Sequence, residues 1–171
     1  NGSGTYSSGK GTVLNLSDSK IEMGQSAGNA VLSISDSTTN LKNAEIITDS
    51  SNSALAAAFG GTLNSENVSV QARSGGYGIE VQDGSTFNGN NVTIEKSGTD
   101  AEGFNAAINV LNLYSPDAHN TLSLSDSAIN VSGESATGIV SKRQATLADI
   151  KLANTAITAT EGTAVNVLTG T

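Results

Sequence analysis

Leu124-Ser-Asp-Ser-Ala-Ile129-Asn-Val131 decides the fold, because the chain repeats it. The same phrase runs through Leu16-Ser-Asp-Ser-Lys-Ile21, Leu41-Lys-Asn-Ala-Glu-Ile46, Leu63-Asn-Ser-Glu-Asn-Val68, Phe87-Asn-Gly-Asn-Asn-Val92 and Leu152-Ala-Asn-Thr-Ala-Ile157. In each copy a large apolar anchor is followed five positions later by Ile or Val. Two positions after the anchor stand Asp18, Asn43, Ser65, Gly89, Asp126 and Asn154. Anchor spacings of 25, 22, 24, 37 and 28 residues mark a solenoid, whose units bury their apolar faces only by stacking.

Within a unit the periodicity is that of strands. Val13-Leu-Asn-Leu16, Leu122-Ser-Leu124 and Ile129-Asn-Val131 alternate apolar and polar residues. Gly, Ser, Asn and Asp separate these runs, as turns require. A second feature follows each anchor, a small residue and then an apolar one. The pairs are Ala30-Val31, Ala54-Leu55, Gly78-Ile79, Ala107-Ile108, Gly138-Ile139 and Ala164-Val165. Each unit therefore holds three short strands, and the expected fold is all-β, a parallel β-helix of about six rungs. Stacked at about 4.8 Å, six rungs make a rod roughly 29 Å long. The small residue of each pair belongs at a narrow corner. Polar residues two after the anchor suit both a bend and an axial hydrogen-bonded ladder. A leucine-rich repeat is excluded, because its polar residue would fall three after the leucine and a helical segment would follow.

Composition is consistent with a solenoid. The chain has 171 residues, a net charge of −8, three Phe, three Tyr, and neither Trp nor Cys. Lacking Cys, it has no disulfides or thiolate metal sites. Its acidity and scattered basic residues disfavour nucleic acid as a partner. No apolar run is long enough to span a membrane as a helix. No signal peptide is evident, so residues 1–171 are expected to be a single β-helix segment of a longer, processed protein.

The rung pattern resembles the passengers of bacterial autotransporter adhesins of the pertactin and AIDA type. Gly78-Ile-Glu-Val81, followed by Gly84-Ser-Thr86-Phe-Asn-Gly-Asn-Asn-Val92-Thr-Ile94, carries the resemblance. So does Leu124-Ser-Asp-Ser-Ala-Ile-Asn-Val131, followed by Gly133 and Gly138-Ile139. It covers essentially the whole chain. It implies a right-handed β-helix exported through the outer membrane and displayed on a Gram-negative cell, tethered by a C-terminal barrel absent from this sequence. It also implies adhesion to a host glycan or protein, or self-association. Two other readings remain: a polysaccharide lyase or hydrolase on the same fold, and a passive stalk.

One rung is longer than the rest, with its surplus in two stretches. Val92 to Ile108 spans 16 residues and includes Lys96-Ser-Gly-Thr-Asp100-Ala-Glu102-Gly-Phe104. Ile108 to Leu124 spans another 16 and includes Leu113-Tyr114-Ser-Pro-Asp117-Ala-His119-Asn120, with the chain's one Pro and one His. Solenoid insertions map to surface loops and often to the binding face. Asp100, Glu102, Phe104, Tyr114, Asp117 and His119 are therefore the candidate ligand-binding residues. No catalysis, cofactor or metal is expected. His119 has neither a second His nor a Cys to work with, and no G-x-S-x-G elbow is present. The best acidic group is Asp100, Glu102 and Glu134, a weak divalent site at most.

Overall fold

A computed structural model describes residues 2–100, 103–141 and 147–167. It is a parallel β-solenoid of about six turns with no helix among the described residues. One sheet stacks β1 (Thr5–Ser8), β3 (Val31–Ile34), β5 (Leu55–Ala58), β7 (Ile79–Gln82), β9 (Asn105–Leu111), β12 (Ala136–Ser141) and β15 (Thr163–Val167) in that order. The second, bent sheet stacks β2 (Val13–Met23), β4 (Thr38–Thr48), β6 (Thr62–Ala72) and β8 (Thr86–Lys96). Each of these four strands has 11 residues and carries both remaining faces of its rung. Higher up, the bent strand divides. One rung has β10 (His119–Ser125) and β11 (Ala128–Val131), and the next has β13 (Leu147–Ala153) and β14 (Ala156–Ala159).

Each bend sits on one Asx residue in the left-handed region. Asp18, Asn43, Asn67, Asn91, Asp126 and Asn154 have φ of 51°, 51°, 55°, 52°, 50° and 45°. Asp and Asn tolerate this conformation better than other residues with a β-carbon. The column corrects the expected stacking at two rungs. Leu41 pairs with Ser65, and Ser65 with Gly89. Leu63 pairs instead with Thr39 and Phe87. The bend residues there are Asn67 and Asn91, not Ser65 and Gly89. True rung spacings from residue 16 are thus 25, 24, 24, 35 and 28. A two-residue slip leaves every side chain on its own face, so apolar alternation alone does not expose it.

Packing accounts for the exchange. Gly89 occupies an anchor position, and a β-carbon there would lie 3.0 Å from the Phe87 ring and 2.7 Å from Leu124 Cδ2. The large ring two residues earlier fills the space that the glycine leaves. Small residues also stack as expected: Val31, Leu55, Ile79, Ile108 and Ile139 are in register, each preceded by Ala or Gly. At Gly78 a β-carbon would sit 2.6 Å from Ile94 Cγ2, so a side chain at this rung requires Ile94 to shift. In the first two rungs the interior also holds hydroxyls. Ser7 Oγ lies 2.7 Å from Thr39 Oγ1 and 2.9 Å from Ser37 Oγ, all buried.

The register is testable with two neighbouring residues. Asn67→Ala removes two ladder hydrogen bonds and puts Ala at a left-handed φ, which costs about 1–2 kcal/mol. Ser65→Ala removes a buried hydroxyl without a hydrogen-bond partner, so stability holds or rises. Urea unfolding monitored by circular dichroism distinguishes the two; the reverse ranking would support the uncorrected register.

Candidate functional site

Both insertions belong to the long rung but lie at opposite ends of β9. Its seven residues separate them by about 20 Å. They do not converge on one site.

The first loop is built on Lys96. This residue ends β8 on the inward face, after Val92 and Ile94, and is only 2% exposed. Its ammonium donates to the carbonyls of Ser74, Ser97 and Gly98. Burial pushes its pKa down to about 8, with the Asp100 carboxylate opposing the shift. Asp100 closes the loop. Its Oδ1 accepts the Phe104 N–H at 2.8 Å, and its Oδ2 accepts the Tyr77 hydroxyl at 2.6 Å. Phe104 packs with Tyr77, Ala106 and Val140. Asp100 and Phe104 thus hold the loop against the sheet. Glu102 lies outside the described residues. Glu134 is exposed, and its backbone carbonyl accepts from Asn105 Nδ2 at 3.3 Å. Among the described residues no three acids or histidines are placed to share a cation.

The second loop is built on Asp83, which is not among the candidate ligand-binding residues. Asp83 also occupies an inward position, after Ile79 and Val81, and is 4% exposed. Its Oδ1 accepts the N–H groups of Leu113, Tyr114 and Ser115 at 2.9, 3.0 and 2.9 Å. Asn120, fully buried, accepts from Gly84 and Ser85 and donates to Leu111 and Asn112. So pinned, the loop reaches back over two rungs. Tyr114 stacks on Phe59, with ring centroids 5.6 Å apart and planes at 26°. Both rings are exposed, at 69% and 39%. Asp117 is exposed on the same loop. His119 opens β10, with Nε2 3.9 Å from Asp149 Oδ1 in a half-exposed pair.

A third feature follows from the corrected register. The outer surface of the bent sheet carries an open groove of about 850 Å³, running past β4, β6, β8, β10 and β13. Four rung steps give it a length of about 19 Å. One rim is a column of amides. Asn40 donates to Asn15 at 2.8 Å, Asn64 to Asn40 at 2.8 Å, and Asn88 to Asn64 at 2.9 Å. Lys42 and Glu66 pair across rungs on the other rim at 3.0 Å. Both are half-exposed, so the pair stabilises the fold little. These asparagines become visible in the sequence as the residue just before each of the first four corrected anchors, a place that Ser123 and Lys151 take in the last two rungs.

Asp83→Ala leaves three backbone N–H groups without their acceptor and costs about 3 kcal/mol. Hydrogen exchange at residues 113–115 should accelerate ahead of the rest of the rod. Folded Lys96 loses its proton near pH 8, whereas the unfolded chain keeps it to about 10.5. In that window the unfolded state binds more protons, so the Lys96 contribution to stability rises with pH. A ¹³Cε titration of Lys96 should show a midpoint near 8; a midpoint near 10.5 would mean the ammonium is solvated. Comparison of the chain with known protein families, with curated proteins and with solved structures finds no match.

Proposed function

We propose that the chain is the rod of a bacterial surface adhesin, of the autotransporter passenger kind that its rung pattern resembles. It binds without catalysis. In this reading it is carried outside a Gram-negative cell, on a membrane barrel belonging to the longer protein, and it meets a host glycan or protein, or a like molecule. The observation that carries the reading is the axial groove with its amide rim. Amides donate and accept hydrogen bonds but do not ionise near neutral pH. Because each amide is already bonded to the next, a ligand meets an ordered row and binding costs little side-chain entropy. One contact is weak. A row repeated along the axis, and many rods on one cell, multiply it by avidity.

The test is a triple variant, Asn40→Ala, Asn64→Ala and Asn88→Ala. All three residues face outward, so β circular dichroism should be retained. Beads coated with the variant should attach to epithelial monolayers, or to one another, about tenfold less than wild-type beads. Failure of the wild-type chain to attach to either would sink the reading. Release of reducing or unsaturated ends from a polysaccharide panel would replace it with an enzymatic one.

A further inference from the structure

A second concavity lies on the outer face of the other sheet. Ala56 and Ala58 form its floor, with Ile34 on one side and Glu80 and Gln82 on the other. Phe59 closes the end nearest the second loop. Its volume is about 220 Å³. That is below the roughly 300 Å³ at which sites for drug-sized ligands begin, so the trough suits one ring and not a chain.

Phe59 does not belong here on structural grounds. Three two-residue turns on this corner have both φ values positive: Ser35-Asp36, Phe59-Gly60 and Asp83-Gly84. Short polar residues suit the first position of such turns, and a bulky aromatic does not. Phe59 nonetheless holds φ +49° with its ring outside the core. The loop pinned by Asp83 then brings Tyr114 from two rungs away to stack on it. Strain kept at an exposed aromatic points to a binding role.

The surroundings narrow the ligand. The chain β5 lies between β3 and β7, so no strand edge is free here to take up an extended peptide. Among the described residues no Lys, Arg or His lines the trough, which disfavours phosphate or sulfate. What remains is an aromatic face and a methyl floor beside a carboxylate and an amide. Ser53 Oγ orients Glu80 by donating to Oε2 at 2.7 Å. Carboxylate and amide oxygens accept from sugar hydroxyls, while the C–H face of a pyranose rests on an aromatic ring.

We propose that this trough is a binding site for a single neutral pyranose, stacked on Phe59 with its hydroxyls on Glu80 and Gln82. It lies on a different sheet from the amide groove and is independent of it.

Four methyl β-glycopyranosides, of glucose, galactose, mannose and N-acetylglucosamine, serve as probes in NMR titrations of the chain. At least one should saturably shift the Ala56 and Ala58 methyl signals and the ring signals of Phe59 and Tyr114. Phe59→Gly removes the ring and relieves the turn, so the variant should keep its melting curve yet bind about tenfold more weakly. Tyr114→Ala should also weaken binding without loss of fold. The proposal is overturned if no probe moves these signals, or if Phe59→Gly binds as wild type. It is equally overturned if the signals move with protein concentration alone, which would mark a contact between copies. Cell attachment by Phe59→Gly beads separates the two proposals: retained attachment leaves the amide groove in place whatever the sugar titration gives.

Discussion

The bend between two faces of each turn needs one residue with a left-handed backbone, and the rest of the solenoid depends on it. Asp18, Asn43, Asn67, Asn91, Asp126 and Asn154 meet this demand and stack along the axis. Their side chains stitch the rungs together. Asn43 donates to Asp18, Asn67 to Asn43, Asn91 to Asn67, and Asn154 to Asp126, at 2.6–3.1 Å. Asp has only acceptors when ionised, so each run begins on an aspartate and continues through asparagines. The runs meet at the long rung, where Asp126 accepts from Asn90 at 3.3 Å instead. Each exposed bond contributes little alone. Together they set the register, and the register decides which apolar residues share a layer.

The two insertions are held by opposite charges in matching ways. Lys96 gathers three carbonyls at one end of β9, and Asp83 gathers three N–H groups at the other. A loop that leaves the parallel ladder loses its backbone partners. A buried ion supplies several at once, and the backbone dipoles in turn solvate the ion. These contacts tie residues of both loops to the sheet. The outcome differs at the two ends. Around Lys96 the loop folds inward and Phe104 joins the sheet. Around Asp83 the loop folds outward and presents Tyr114.

This difference bears on how function is distributed. The surplus residues of the long rung pointed to its two loops, and the structure adds concavities on two sheets. The groove rises from ordinary rungs, through outward asparagines in register. The trough draws Phe59 from an ordinary turn, and Tyr114 from an insertion stacks on that ring. Of the residues expected to contact a ligand, Tyr114, Asp117 and His119 are exposed, while Asp100 and Phe104 are engaged in holding their loop.

The solenoid, the three faces of each turn, the narrow corner of small residues and the place of the insertions are legible in the sequence. These follow from spacing and from period-two alternation, which are local properties of the chain. The expected three separate strands per turn appear only in the upper rungs, because β2, β4, β6 and β8 each carry two faces as one bent strand. Alternation also contained more than apolar positions. Lys96 follows Val92 and Ile94, and Asp83 follows Ile79 and Val81, so both charges fall on inward positions. Only the tertiary structure decided the stacking at Leu63 and Phe87. A shift of two residues preserves every face, so the choice rests on where the left-handed residue fits and on the room that Gly89 leaves for Phe87. Only the tertiary structure joined Phe59 to Tyr114, because 55 residues of chain separate rings that the winding of the rod brings together.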